Sequence, residues 1–325
     1  MSGPRHSDPA AWPAIPYEEW KPTLATLHLW VQIVGKVRMV QSPWVNHSWH
    51  VPFYVTARGL TTSPIPYGAR SFEIRFDFLD HQVIIETIDG GVERIELAPR
   101  TVADFYHELF ARLGALGLDI TIRTTPNEIP DVIPFEQDRV HAAYDAEQVT
   151  RFWRGLVQAD RVLRSFRSHF IGKSSPVHFF WGGFDLAVTR FSGRPAPPRD
   201  ADRVSREAYT HEVISFGFWP GDDTVGDAAY YSYTAPEPAG LRDEQLSVGG
   251  WIDLPSGAMA ILPYETVRTA RDPRTTLLAF CQSAYEAGAR LAGWDVTSFT
   301  STWCPSPSQL QELQASAAGD FGRTP

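Results

Sequence analysis

Hydrophobic residues recur along the chain with helical spacing in four segments and with strand spacing between them. Apolar residues three and four positions apart predict helices over residues 17–40 (starting at Tyr17 or Pro22), 102–116, 145–170 and 273–291. Alternating apolar and polar residues predict strands over 49–58, 72–79, 83–87, 92–97 and 118–123, and then over 177–191, 212–218, 230–234, near 251 and over 258–262. Thr101 and Asp272-Pro273 stand where helix starts need a capping side chain.

The order helix, strands, helix therefore occurs twice. Tight turns such as Asp89-Gly90-Gly91 join neighbouring strands as hairpins, and hairpins build antiparallel sheets. We predict an α+β fold in which antiparallel sheets are flanked by helices in two similar halves. The predicted division is a disordered N-terminus at 1–12, a first half at 13–124, a connector at 125–145, a second half at 146–300 and a flexible tail at 301–325.

The two halves also match in sequence at a constant offset of 133 residues. The matched positions are Trp20 with Trp153, Ser42-Pro43 with Ser175-Pro176, and Val55-Thr56 with Val188-Thr189. An internal duplication accounts for these matches, and so does chance similarity between two helix-turn-strand units. In a duplicated chain, the junction of the halves is the natural place for a cleft.

The charge balance narrows the class of protein. The 325 residues include 29 Lys and Arg against 38 Asp and Glu, a net charge of −9, whereas nucleic acids and anionic membranes favour a basic surface. No apolar run reaches the length of a membrane span, the first residues lack the apolar core of a signal peptide, and cysteine occurs twice. We expect a cytoplasmic protein that binds neither nucleic acid nor a membrane.

Polar residues follow one face of two strands in the first half. His50, Tyr54 and Arg58 alternate with the apolar face of the predicted strand 49–58, and Glu73 and Asp77 do so in strand 72–79. Such a face is commonly solvated and laced with ion pairs. The alternative is a polar pocket floor, with Glu73 or Asp77 as a base and Arg58 or Arg75 as a clamp for an anion.

Four histidines are the sharper candidates for chemistry. His47 and His50 lie three residues apart, His178 lies in the aromatic segment of the second half, and His211-Glu212 opens the next strand. Neutral imidazole and carboxylate are the ligands of zinc and non-haem iron, so His47, His50, His178 and His211 form a candidate metal site. Without a metal-binding motif of fixed spacing, buried histidines that are hydrogen-bonded in the core remain the alternative.

Aromatic residues form runs that alternate between sheet faces, so part of each run leaves the main core. The runs are Phe179-Phe180-Trp181, Phe216-Gly217-Phe218-Trp219 and Tyr230-Tyr231-Ser232-Tyr233. They are typical of a pocket for a flat or apolar small molecule. They are equally typical of an interface in a homo-oligomer.

Several long motifs resemble one family. Among them are NHSWHVPFYVTARGLTTSPIPYG, KSSPVHFFWGGFDLAVTRFSGRPAPP and AYTHEVISFGFWPGD. From about Trp12 to Asp295 the chain is similar to a family of uncharacterised bacterial proteins, the domain of unknown function 5996. The resemblance implies a bacterial, cytoplasmic protein and supplies no activity, cofactor or catalytic residue.

Two hypotheses of function follow. In the first, the protein is an enzyme that acts on a small molecule in a cleft between the halves, with zinc or non-haem iron as the cofactor considered. Its catalytic residues are His50, His178, His211, Glu73 and Glu212, and its substrate-binding residues are Tyr54, Arg58, Trp181 and Arg190. In this hypothesis Arg58 and Arg190 orient an anionic substrate. In the second, the protein binds a small molecule or another subunit without catalysis. Convergence of these histidines within about 4–5 Å of one point would separate the two. Scattered histidines would exclude the metal-dependent version, and a polar face open to bulk water would exclude the pocket.

Overall fold

A computed structural model describes residues 10–198, 203–223, 225–255 and 257–301. The helices within these ranges are α1 (Tyr17–Gln41), α2 (Val102–Ala115), α3 (Ala146–Ser168), α4 (Arg203–Ala208), α5 (Tyr264–Arg268), α6 (Pro273–Leu291) and α7 (Val296–Phe299). The strands are β1 (Tyr54–Val55), β2 (Gly59–Thr61), β3 (Ile65–Tyr67), β4 (Arg70–Asp77), β5 (Gln82–Thr87), β6 (Val92–Glu96), β7 (His178–Phe180), β8 (Asp185–Pro195), β9 (His211–Trp219), β10 (Ala229–Ala235), β11 (Gly250–Leu254) and β12 (Gly257–Pro263).

The strands form two antiparallel sheets of six strands each within the described residues, so the predicted α+β class is confirmed. The first sheet has the order β1-β2-β4-β5-β6, with β3 paired to β4, and the second has the order β11-β12-β10-β9-β8-β7. Phe53 and Phe179 exchange backbone hydrogen bonds of 2.8 and 2.9 Å and join the edges of the two sheets. Both halves thus share an order of elements, and the duplication stays suggestive.

The long helices form where their start signals and apolar faces agree. Thr101 caps α2 by accepting a hydrogen bond from the amide of Asp104, and Asp145 and Asp272 cap α3 and α6 in the same way. The apolar face of α3 covers β8 and β9, where Phe166 meets Phe216 at a ring distance of 4.6 Å. One continuous core includes buried residues of both halves.

The predicted strand 49–58 is wrong except at Tyr54–Val55. His47 and Ser48 adopt left-handed backbone conformations, with φ of 59° and 57°, and such residues turn a chain rather than extend it. The predicted strand 118–123 is also wrong. Leu118 and Ile120 are buried, so the alternating pattern there reflects packing onto the core without pairing to a sheet.

The predicted strand 177–191 divides into β7 and β8 at the turn 181–184. After the turn, Asp185 pairs with Phe180, and Ala187 pairs with His178. Paired residues of neighbouring strands project on the same face of a sheet, so Asp185 and His178 share one face. None of the described helices is long and apolar enough to cross a membrane. Of the predicted terminal segments, residues 1–9 and 302–325 lie outside the described residues.

Candidate functional site

A cavity of about 710 Å³ lies on the face of the second sheet that points away from α3. Its floor comes from four neighbouring strands: His178, Phe180, Asp185, Ala187, Thr189, Phe191, Val213, Ser215, Tyr231 and Tyr233. Its other walls come from the loop 44–51, from residues 127 and 128, from the turn 181–183 and from α4. Side chains of both halves and of the predicted connector therefore surround one space.

Strand register explains the shape of the floor. His178, Ala187, Gly217 and Tyr231 lie in one row across β7 to β10. The two small residues in the middle of the row leave room above the sheet. The Tyr231 ring occupies this space above Gly217, where a Cβ atom on the glycine would lie only 2.2 Å from the ring. From there the Tyr231 hydroxyl crosses β9 and donates a hydrogen bond to the Asp185 carboxylate.

The Asp185 carboxylate in the cavity has a pKa well above the ordinary value of an aspartate. Burial is the main cause that raises its pKa to about 6. The hydrogen bond from Tyr231 opposes this rise, and the negative charge of Glu128 adds to it. Both carboxylates lie within 3.5 Å of the point that a Cβ atom on Gly183 would occupy. A carboxyl with this pKa holds and releases a proton close to physiological pH.

The His178 imidazole lines the cavity without a hydrogen-bond partner for either ring nitrogen among the described residues. Its side chain is 1% exposed and is enclosed by the edges of the Trp49, Tyr54 and Phe180 rings, at 5.8, 5.6 and 5.4 Å. Burial lowers its pKa to about 3, with help from the charges of Arg38 and Arg167. The ring is therefore neutral and offers one donor and one acceptor at the cavity wall.

A row of hydroxyl groups continues the polar floor beside this histidine. Thr189 and Ser215 lie opposite each other in β8 and β9, with 2.8 Å between their hydroxyl oxygens. Tyr233 follows in the same row on β10 and accepts a hydrogen bond of 3.1 Å from the Tyr209 hydroxyl. These groups add hydrogen-bonding positions for a polar ligand.

Helix α1 holds two of the cavity walls through polar side chains one turn apart. The Nε2 atom of His28 lies 3.0 and 2.8 Å from the carbonyl oxygens of Trp181 and Gly182. Gln32 exchanges two hydrogen bonds with the backbone of Asn127, at 2.7 and 2.8 Å. The same helix therefore fixes both the turn 181–183 and the loop that carries Glu128.

Trp181 closes the turn against α1 and against the loop 44–51. Its indole nitrogen donates a hydrogen bond of 3.0 Å to the carbonyl oxygen of Val51. A Cβ atom on Gly35 would lie 2.5 Å from the indole ring, so the helix has a glycine where the ring packs. The absence of a side chain at Gly35 thus leaves the space that the Trp181 ring occupies.

The structure brings five of the predicted site residues to or beside the cavity. His47, His50, His178 and Trp181 line it. Tyr54 lies behind His178, in ring contact with it. His211 is not among the lining residues, and its ring lies 6.2 Å from that of His47.

The other predicted site residues are engaged elsewhere. On the first sheet, Arg58 binds Asp77 and Asp80, at 2.5 and 2.7 Å, and Glu73 accepts a hydrogen bond of 2.6 Å from Thr61. These contacts form the ion-paired face that was the alternative for this sheet. On the second sheet, Glu212 pairs with Arg194 at 2.7 Å. The Arg190 guanidinium lies on the helix side of the same sheet, 3.5 Å from the Phe166 ring.

The histidines do not form a chelating group. Nδ1 of His47 lies 3.2 Å from the carbonyl oxygen of Ala208, and Nε2 lies 3.2 Å from the Lys173 ammonium. Nδ1 of His50 accepts a hydrogen bond from the amide of Val45. Within the described ranges, no three His, Cys, Asp or Glu residues lie together where they would hold a metal ion. The zinc or non-haem iron site stays a prediction.

Asp185, Glu128 and Tyr231 are the cavity residues that the sequence did not single out for chemistry. Gly182-Gly183 was the available signal for Asp185, because a turn at that point resets the alternation of faces. Alternation within the run 230–233 predicts that part of the run leaves the core, and the structure identifies that part as Tyr231 and Tyr233. Glu128 carried no local signal, since its position depends on contacts made by Gln32, far away in the chain.

Comparison with known proteins finds a family but no activity. A family model with the description "Family of unknown function (DUF5996)" matches residues 12–301. No curated protein and no solved structure matches the chain.

Proposed function

Since the chain belongs to this family of unknown function, we propose its function from the cavity: a cytoplasmic enzyme that binds a small molecule there and exchanges a proton with it. The observation that carries the proposal is the His178 imidazole, which is 1% exposed and has no hydrogen-bond partner among the described residues. An unpartnered polar group buried in a protein costs about 1–3 kcal/mol. A ligand in the cavity would supply the missing partner.

Asp185 is the proposed catalytic residue. Its pKa of about 6 places it near the pH at which a carboxyl group both accepts and donates protons readily. Tyr231 donates to one carboxylate oxygen and so orients the group. In this proposal His178, whose pKa is about 3, stays neutral and positions the ligand through one donor and one acceptor.

A metabolite screen tests the binding step. The melting temperature of the purified protein is measured with a library of small cellular metabolites, and a ligand present at about 100 times its Kd would add about 2.7 kcal/mol to the stability. We expect at least one compound to raise the melting temperature of the wild type and to lose its effect on His178→Leu. Asp104→Asn, an exposed change on α2, should keep the effect.

A second step separates an enzyme from a binding protein. Each stabilising compound is incubated with the protein, and products are sought by mass spectrometry. Conversion that disappears in Asp185→Asn and persists in Asp104→Asn supports the enzyme. A compound that binds and is never converted would favour the non-catalytic binding protein, and a library without any stabilising compound would overturn the proposal.

A further inference from the structure

The cavity has a charged end and an aromatic body. At the charged end, Asp185 and Glu128 approach the same point beside Gly183. No lysine or arginine is among the described residues that line the cavity. Lys173 is close by at the end where His47 lies, and it is already engaged with that ring and with the face of Phe191 at 4.5 Å.

Aromatic rings extend from the charged end along the walls. Phe180 is paired with Asp185 across β7 and β8, and Tyr231 donates its hydroxyl to the same carboxylate. Trp181 lies directly before the Gly182-Gly183 turn, and Trp49 is in ring contact with His178. Aromatic faces attract organic cations, most strongly where water is excluded.

His178 gives an independent sign of a ligand in the same space. It lies opposite Ala187, two residues along β8 from Asp185 and on the same face. Both of its ring nitrogens lack partners among the described residues. The pair of His178 and Ala187 is the next pair on this face after that of Phe180 and Asp185. A molecule that extends from Asp185 along the floor would therefore reach the imidazole.

We propose that the ligand is an organic cation: a protonated amine or amidine that binds the Asp185 carboxylate beside Gly183, with a flat apolar body along the aromatic walls and a polar group at His178. The inference rests on the proposed function, because it names the ligand class of the same cavity. A carboxylate or phosphate ligand would instead meet the two carboxylates at this end and be repelled.

The proposal predicts the direction of a pH effect. The titratable groups that face Asp185 are Glu128, Tyr231 and Tyr233, and burial raises the pKa of both tyrosines far above neutrality. Burial lowers the pKa of His178 to about 3, so this ring stays neutral where Asp185 titrates, and burial also lowers the pKa values of His47 and His50. The affinity for a cation should therefore fall as the pH falls through about 6, where Asp185 takes up a proton.

Three probes of one shape test the ligand class: tryptamine, tryptophol and indole-3-acetate, which are a cation, a neutral alcohol and an anion. Isothermal titration calorimetry at about pH 7.5 should give tryptamine at least about tenfold tighter binding than tryptophol, equivalent to one pKa unit of charge interaction. Indole-3-acetate should bind most weakly. Asp185→Asn should reduce the preference for tryptamine over tryptophol to less than about threefold, and Asp104→Asn should preserve it.

The outcomes separate this inference from the proposed function. Four results would overturn the proposal of a cationic ligand. They are equal affinities for the three probes, tighter binding of the anion, absence of tryptamine binding, and a preference for tryptamine that persists in Asp185→Asn. If the metabolite screen then yields neutral or anionic ligands that require His178, the inference of a cationic ligand is wrong and the proposed function stands. If the screen yields no ligand, both fail.

Discussion

At the scale of single residues, two enclosed imidazoles differ in what their surroundings provide. His28 faces two carbonyl oxygens, at 3.0 and 2.8 Å, whereas His178 faces ring edges and the cavity. Burial lowers the pKa of His28 to about 4 and that of His178 to about 3. Both rings are neutral at physiological pH, so the difference between them lies in hydrogen bonding.

Replacing each imidazole by leucine should destabilise the protein at position 28 but not at position 178. His178→Leu should leave the free energy of unfolding unchanged or raise it by about 1 kcal/mol, because it removes a buried polar group that has no partner. His28→Leu should lower it by about 1–3 kcal/mol, because two carbonyl oxygens lose their donor. Urea denaturation of the two variants without ligand measures both changes. Equal losses in the two variants would contradict the unpartnered state of His178.

Two carboxylates provide a second contrast, and it depends on pH. Burial raises the pKa of Asp185 to about 6, so the folded state binds this proton more tightly than the unfolded chain does. The favourable contribution is full below the unfolded value of about 4 and is lost as the pH rises to about 6. For Asp77, burial raises the pKa, but hydrogen bonds from Arg58 and from the amides of Asp80 and Leu79 outweigh it and hold the pKa below its ordinary value.

At neutral pH, the two asparagine variants should therefore change the free energy of unfolding in opposite directions. At about pH 7.5, Asp185→Asn should raise the free energy of unfolding by about 1–3 kcal/mol, since it removes a poorly stabilised charge. Asp77→Asn should lower it, because an ion pair with Arg58 is broken. Thermal unfolding at several pH values measures both. The gain from Asp185→Asn should shrink toward about pH 5, and a gain that is constant with pH would refute the raised pKa of Asp185.

At the scale of elements, two glycines within helices test how α1 supports the cavity. Gly35 leaves room for the Trp181 ring, whereas Gly114 in α2 has open space where a Cβ atom would lie. Gly35→Ala should lower the free energy of unfolding by about 1–3 kcal/mol through overpacking. Gly114→Ala should raise it by about 0.5–1 kcal/mol, because alanine restricts the unfolded chain and favours the helix.

Thermal unfolding followed by circular dichroism compares the two alanine variants. A stabilised Gly35→Ala protein would show that the Trp181 ring does not depend on this glycine for its place. Tryptophan fluorescence provides a second measurement, because Gly35→Ala should shift the emission while Gly114→Ala should not.

The same scale shows which elements a sequence predicts. Helix starts at Thr101, Asp145 and Asp272 follow from local capping chemistry, and all three caps are present. The strand predicted over 49–58 is wrong because residues 49–51 continue the turn that begins at the left-handed His47 and Ser48 and residues 56–58 are irregular, and alternation alone reveals neither. That turn brings the loop 44–51 over the second sheet, so the local error concerned the part of the fold that builds the cavity.

Site residues were predictable where chemistry was local and not where it depended on distant contacts. His178 and Trp181 were named because an imidazole or an indole in a polar-aromatic strand is conspicuous by itself. Asp185 joined them only through the turn 181–184, which changes the sheet face that each later residue of β8 occupies. Arg190 is the opposite case. It lies on the other face of the same strand, against the helices, and so is kept away from the cavity.

At the scale of the whole molecule, the two halves share a core rather than stand as separate units. Buried residues of α1, among them Trp20, pack with residues of α3 and of the turn 181–184. Trp20 and Phe152 stack at 4.7 Å, and Phe152 stacks on Phe184 at 5.5 Å. The backbone pair of Phe53 and Phe179 connects the two sheets at their edges. Unfolding of either half would therefore expose apolar surface on the other.

We expect the full chain to unfold in a single cooperative transition, although its length corresponds to about two ordinary domains. Differential scanning calorimetry should give a van't Hoff enthalpy equal to the calorimetric enthalpy within error, with tryptophan fluorescence and circular dichroism reporting the same midpoint. Phe152→Ala, at the contact between the halves, should lower that midpoint without splitting the transition, at a cost of about 3–5 kcal/mol. Two resolved transitions in the wild type would instead mean that each half folds by itself, and the cavity between them would then open without global unfolding.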